Sequence, residues 1–313
     1  MSLFKIDKQN LNPISEKKFD LEKDIQSLTE KNLEIIFGLK FISGSLNKEF
    51  SVRVNEQDFY IDTVALDEST NSIVLIEYKK DRSFSVIDQG FAYLAAMLNN
   101  KAEFILEINA RLGKNFTKKD IDWEQSRIIF ISNEFTNYQK NAINFKDLPM
   151  FLYEVAIYDN NIIDYNPIKP FKTSESINKF IKDKKVQEVA REIKVFTIDD
   201  HLKKANSEIQ DLFDKIGTKV LELDKRIQMK PVTQYIGFRI RYHNFCTMAL
   251  YKERIRVYVR AMHIDDPQKI FKKVPSKYGW GKTSLWYFDI KDSNKIDYVV
   301  SIIKQGYDLA PDK

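Results

Sequence analysis

Three residues of the 313-residue chain, Asp62, Glu77 and Lys79, combine types and spacing that can do acid, base and metal chemistry together. They stand in Tyr60-Ile61-Asp62-Thr63 and Ile76-Glu77-Tyr78-Lys79, with the turn-forming run Asp67-Glu68-Ser69-Thr70-Asn71 between them. A hairpin centred near Ser69 pairs residues whose numbers add up to about 139, Asp62 and Glu77 among them. Side chains alternate along a strand, so Glu77 and Lys79 project to one face, and two acids and an amine converge. Carboxylates held close together need a counter-ion, and two oxygen ligands with room for water are what Mg²⁺ or Mn²⁺ takes. Lys79 is then placed to position, or take a proton from, the water that attacks a phosphodiester. The same three residues also occur as ordinary ion pairs at the ends of surface strands, so the elements around them decide what they mean.

Those elements read as an α/β arrangement. Asp20 to Phe37 is a first helix, with Leu21, Ile25, Leu28, Ile35 and Ile36 as its apolar positions and Gly38 as its stop. Phe50 to Val54, Phe59 to Leu66 and Ile73 to Lys79 read as strands. Ile73 to Ile76 is apolar on both faces, the pattern of a central strand covered on both sides, and the charged group falls where that strand ends. Ser85 to Leu98 and Lys101 to Leu112 are helical, Arg127 to Ser132 is a strand, Asn133 to Asn144 a helix and Phe151 to Tyr158 a strand.

The succession of helix, acid-bearing hairpin and following helix, with Val86-Ile87-Asp88-Gln89-Gly90-Phe91-Ala92-Tyr93, resembles the PD-(D/E)XK nuclease superfamily, including its tRNA-endonuclease-like branch, over roughly residues 20 to 158. The resemblance implies that Asp62 and Glu77 are metal ligands, Lys79 the catalytic lysine, Gln89 the added glutamine of some members and Glu34 the first-helix acid that some members add, with Mg²⁺ or Mn²⁺ as cofactor. Ile61 stands where the proline of the family name would be. Glu30 lies one turn before Glu34, so a charged helix face accounts for both; Tyr93, four residues after Gln89, reads as core.

Asn166 to Asp200 is polar and lysine-rich, which suggests residues 1–165 as one domain, 166–200 as a linker and 201–313 as a second domain. The second domain reads as small and α+β: a helix over His201 to Ile227, strands at Thr233 to Arg241, Asn244 to Tyr251 and Arg254 to Ala261, a segment over Pro267 to Lys273, a Gly279-Trp280-Gly281 turn, a strand over Ser284 to Ile290 and a closing helix over Lys295 to Asp308. Through Tyr235-Ile236-Gly237-Phe238, Asn244-Phe245, the basic strand, the Gly-Trp-Gly turn and Tyr298…Gly306-Tyr307, it resembles the uncharacterised last domain of bacterial proteins labelled predicted transport proteins. Its strand Arg254, Arg256, Tyr258, Arg260 alternates with Ile255, Val257 and Val259, giving one core face and one cationic face. Of the 50 Lys and Arg, 22 lie from His201 onward against 13 of the 45 Asp and Glu, a net of +9; the first 200 residues carry 28 against 32, a net of −4. With Arg239, Arg241, Lys272, Lys273, Lys277 and Lys282 near it, the basic face suits a phosphate backbone, and Tyr258 or Trp280 a stacked base. A solvated sheet face with Trp280 buried, and Trp286 and Phe288 in the core, is the plainer account of the same residues.

Other chemistries lack their residues. Gly237, Gly279 and Gly281 form no phosphate-binding loop, the single Cys246 allows no internal disulfide, and His201, His243 and His263 match no zinc spacing. No apolar run reaches membrane-spanning length, so a soluble, cytoplasmic protein with no membrane partner is expected. The leading expectation is a metal-dependent, nucleic-acid-cleaving phosphodiesterase whose partner is DNA or RNA, with a homodimer left open as its assembly. The alternatives are a catalytically silent nucleic-acid-binding protein and a protein-interaction adaptor with a basic face.

Overall fold

The computed structural model describes residues 3–17, 22–54, 56–79, 85–145, 147–170, 175–176, 184–275 and 285–311. It divides into two units, Met1–Val195 and Phe196–Lys313, each with its own buried core. The first unit begins with β1 (Leu3–Asp7), β2 (Asn10–Ile14), β3 (Glu16–Lys17), α1 (Glu22–Lys31) and α2 (Leu33–Phe37). Next come β4 (Lys40–Ser43), β5 (Phe50–Val54), β6 (Gln57–Ile61), β7 (Thr63–Asp67) and β8 (Ser72–Lys79), then α3 (Val86–Asn99) and α4 (Lys101–Leu112). β9 (Arg127–Ser132), α5 (Asn137–Ala142), β10 (Met150–Tyr158), β11 (Ile162–Ile168) and α6 (Lys184–Glu192) complete it.

The main sheet has the order β11-β10-β9-β8-β7-β4, with β3 also against β10. β8, β9 and β10 are mutually parallel, and the remaining pairs are antiparallel. β8 is buried from Ser72 to Tyr78 because both its faces are covered. Ile73 and Leu75 join one core with Phe91 and Leu94 of α3 and Phe104 of α4; Val74, Ile76 and Tyr78 join another with Ile25, Leu33 and Phe37. The β7–β8 turn closes with Asn71 in the left-handed region, φ 52°, and with Asp67 Oδ1 accepting from the Ser69 amide at 3.1 Å. Pairing runs from Thr63 opposite Ile76 to Asp67 opposite Ser72, and Asp62, just before the ladder, reaches the Tyr78 amide next to Glu77 through its side chain.

The chain departs from the sequence expectations in several places. The single strand expected over Phe59 to Leu66 is two: β6 pairs with β5 in a separate two-stranded sheet, and the chain bends at Asp62 before β7 enters the main sheet. Ile61 before the bend and Val64 and Leu66 after it enter the same core, so the inward-facing phase shifts by one residue at Asp62. The first helix breaks at Asn32 into α1 and α2, and Gly38 ends α2 in the left-handed region at φ 66°. The helix expected from Asn133 begins only at Asn137, where Thr136 and Gln139 form a capping box. The stretch expected as linker contributes β11, paired with β10 as far as Ile168, and α6. Val189 and Ile193 are buried in the core of the first unit.

The second unit comprises α7 (Ile198–Leu202), α8 (Ser207–Leu221), β12 (Gln228–Pro231), β13 (Ile236–Ile240), β14 (His243–Tyr251), β15 (Arg254–Arg260), β16 (Lys272–Lys273), β17 (Leu285–Ile290) and α9 (Ile296–Asp308). Its antiparallel sheet has the order β12-β13-β14-β15-β17-β16. Ile209, Phe213 and Ile216 of α8 and Val299, Ile302 and Ile303 of α9 bury against Ile255, Val257 and Val259 of β15. The helix expected over His201 to Ile227 is α7 followed by α8, because the Asn206 side chain accepts from the Ile209 amide at 2.9 Å and starts a new helix. The expected Gly279-Trp280-Gly281 turn, Lys277 and Lys282 lie outside the described residues. Among the described residues no helix is long and apolar enough to cross a membrane.

Candidate active site

Glu77 lies on the face of β8 that α3 covers and is 3% exposed. Its Oε1 accepts from Lys79 Nζ at 2.5 Å and from Tyr93 Oη at 2.7 Å, while its Oε2 is buried without a hydrogen-bond partner. Lys79 reaches it because the two residues share a strand face, and Tyr93 because α3 packs over that face. The Tyr93 ring is held edge-on to Phe59, centroids 4.7 Å apart, so the expected core role and a polar contact coexist in one side chain. Gln89, one turn earlier on α3, has a buried Oε1 with no hydrogen-bond partner.

Asp62 occupies the bend between the two sheets, and its Oδ2 accepts from the Tyr78 amide at 2.9 Å. The structure thus brings Asp62, Glu77 and Lys79 together at the end of β8. Burial, and secondly the charge of Asp62, push the Glu77 carboxyl up to about 7. Burial also raises Asp62, against the opposing pull of the Tyr78 amide and the Lys79 charge. Glu49, exposed, adds a further like charge to the surroundings of Asp62.

Glu34 does not join them. It is exposed on α2, and Glu30 one turn earlier is the helix acid that faces the bend. Glu30 accepts from Thr63 Oγ1 at 2.6 Å, Gln26 Nε2 at 3.0 Å and the Ser45 amide at 3.0 Å through Oε1, and from Ser45 Oγ and the Leu46 amide through Oε2. Gln26 also donates to the Asp62 carbonyl at 3.0 Å. Glu30 is therefore a clamp that fixes the backbone around Asp62, its oxygens occupied by protein donors. The spacing Ile25, Thr29, Leu33, Phe37 was the available signal, since that buried stripe carries Glu30 inward and leaves Leu28 and Ile35 exposed.

Among the described residues no group of three or more His, Cys, Asp or Glu side chains is arranged to hold a metal ion. The donor set present is the Asp62 and Glu77 pair, and the orphaned, buried Glu77 Oε2 is a hard oxygen donor of the kind Mg²⁺ or Mn²⁺ takes.

In the second unit, Arg254, Arg256, Tyr258 and Arg260 lie on the sheet face opposite α8 and α9. Two of the arginines already have an acid. Asp289 of β17, directly across from Arg256, accepts from its Nε at 2.6 Å and its Nη2 at 2.7 Å, and lies 3.6 Å from Arg254 Nε. The neighbouring strand thus supplies a carboxylate that alternation along β15 does not reveal.

Residues 198–310 match the family described as Domain of unknown function (DUF5655). Over 309 residues the chain is 35% identical to an uncharacterized protein of Haemophilus influenzae, covering 98% of this chain and 99% of that one. The chain belongs to the same family as that protein. A crystal structure of a repair endonuclease from Pyrococcus abyssi matches 41% of this chain and 45% of its own at 18% identity and a TM-score of 0.21, too slight a likeness to assign a fold.

Proposed function

We propose that the chain is a metal-dependent nucleic-acid phosphodiesterase of the PD-(D/E)XK nuclease type, with its active centre at the end of β8. The observation that carries this reading is the convergence of Asp62, Glu77 and Lys79, with Glu77 Oε2 buried and lacking a hydrogen-bond partner. A like-charged carboxylate pair costs stability where it is buried, and such pairs are retained where they hold a cation or move protons. Asp62 and Glu77 would hold Mg²⁺ or Mn²⁺, which when bound stabilises charge developing on the phosphoryl oxygens.

The chain's own groups do the rest. The Tyr78 amide fixes Asp62, and Tyr93 and Lys79 both bind Glu77 Oε1, which turns Oε2 away from them. Lys79, with a side chain 22% exposed, brings an ammonium to the mouth of the site, where it steadies the phosphate and the attacking water. The test is to incubate the purified protein with mixed DNA and RNA in Mg²⁺, Mn²⁺ or EDTA. Cleavage in either metal that EDTA stops, and that Glu77→Gln removes, is the expected result. Retained binding without cleavage in any metal would turn the reading to a silent nucleic-acid-binding protein.

A further inference from the structure

The sheet face of the second unit that α8 and α9 leave uncovered has an order that β15 alone does not show. Tyr258 stands directly across from Tyr287, and Lys272 of β16 is across from Tyr287 on its other side. The two tyrosine rings are 6.0 Å apart. Arg256 lies over the Tyr287 ring at 5.1 Å and Arg254 over the Tyr251 ring at 4.4 Å. Arg260 and Lys272 share this face with Arg254 and Arg256, and Asp289 lies beside the latter two, its carboxylate taking two hydrogen bonds from Arg256 in the geometry a phosphate would use.

We propose that this face is a platform for an unpaired nucleic-acid strand, with Tyr258 and Tyr287 as its stacking surface and Asp289 as the group that the strand's phosphates displace from Arg256. The proposal rests on the nucleic-acid part of the reading above, not on cleavage, and adds the form of the strand. Charge complementarity calls for an anionic partner. The aromatic pair then selects among anionic partners: a duplex hides its base faces in the stack and offers phosphates, whereas an unpaired strand offers both a phosphate and an open π-face. β14, β15 and β17 present a sheet surface, and a sheet surface serves splayed bases better than a base-paired groove.

The test uses the full chain in EDTA, with a labelled unpaired oligonucleotide, a blunt duplex of the same sequence and polyglutamate as competitor. The unpaired strand should bind at least about fivefold tighter than the duplex, the equivalent of one stacked base. Tyr258→Leu with Tyr287→Leu should remove that preference, and phenylalanine at both positions should keep it. Asp289→Asn should raise affinity and steepen the salt dependence by about one to two units, because it releases two arginines to phosphates. Equal affinity for duplex, full affinity in the leucine pair, or displacement by polyglutamate at lower concentration than by unpaired strand would overturn the platform, the last in favour of an acidic protein partner. Tyrosine-dependent binding in EDTA with no cleavage in Mg²⁺ or Mn²⁺ sinks the nuclease reading alone, and cleavage in metal with binding independent of the tyrosines sinks the platform alone.

Discussion

Burial under α3 and the charge of Asp62 raise the Glu77 carboxyl from 4.5 to about 7, so across that interval the folded protein keeps a proton that the unfolded chain has given up. Stability conferred by this group is full at low pH and is lost as pH rises through the folded value. Glu77→Gln removes the loss. In EDTA its melting temperature should exceed that of wild type near pH 8 and approach it near pH 4, and calorimetry at the two values reads the difference. With metal, the same substitution and Asp62→Asn should abolish cleavage, because each removes a donor charge from the pair while leaving the surrounding core in place. Lys79→Ala should also end cleavage with the fold retained, by taking away the ammonium that Glu77 Oε1 holds. Wild-type turnover by Glu77→Gln would refute the assignment of the site.

Gly44, in the β4–β5 connection, packs against the Glu30 clamp. A Cβ there would come within 2.2 Å of Glu30 Oε1 and 2.8 Å of the Asp62 carbonyl. Gly44→Ala must therefore push the Glu30 carboxylate or the Asp62 backbone aside, at a cost of about 1–3 kcal/mol for overpacking. Urea melts should show that loss, and cleavage should fall as well, because the displaced backbone carries a metal-binding acid. An alanine variant of wild-type stability and activity would show that the clamp does not position Asp62. In the second unit, α7 buries His201 completely, with Nε2 against the Val232 carbonyl at 2.7 Å and Nδ1 without a hydrogen-bond partner. Burial lowers its pKa below the usual 6.5, so below about that pH the unfolded chain takes up a proton that the native ring refuses. Melting temperature should therefore drop as pH falls from about 6.5, and His201→Gln should flatten the drop. An unaltered pH profile in the glutamine variant would assign the drop to other groups.

Each unit of the whole molecule closes its own core, one around β8 and the other around β15. A cut between Val195 and Phe196 should accordingly give two fragments that each melt cooperatively in circular dichroism. Residues 1–195 should keep metal-dependent cleavage, since Asp62, Glu77, Lys79, Tyr93 and the Glu30 clamp all belong to that unit. Residues 196–313 should keep the salt-sensitive binding, in line with the net positive charge of the chain beyond His201. A first fragment that folds without activity would refute the assignment of the whole site to residues 1–195, and one that fails to fold would refute the independence of its core.

What the sequence by itself determined is what neighbours along the chain can encode. The β7–β8 turn and the period of two bring Asp62 near Glu77 and put Lys79 beside it, and the doubly apolar run of β8 announces a strand covered on both faces. The alternation of β15 likewise shows which face its arginines take. Tertiary structure decided the contacts between residues far apart in sequence, for which a local period has no term. The bend at Asp62 is a change of strand partner, decided by which strand lies alongside β6 and which alongside β7. Glu30 rather than Glu34 faces the bend because the buried side of α1 and α2 follows Ile25, Thr29, Leu33 and Phe37, and its partners Ser45 and Thr63 come from other elements. Tyr93 became a partner of Glu77, and Asp289 of Arg256, for the same reason: a helix packed over one strand end and a strand paired beside another brought together groups that no spacing along the chain connects.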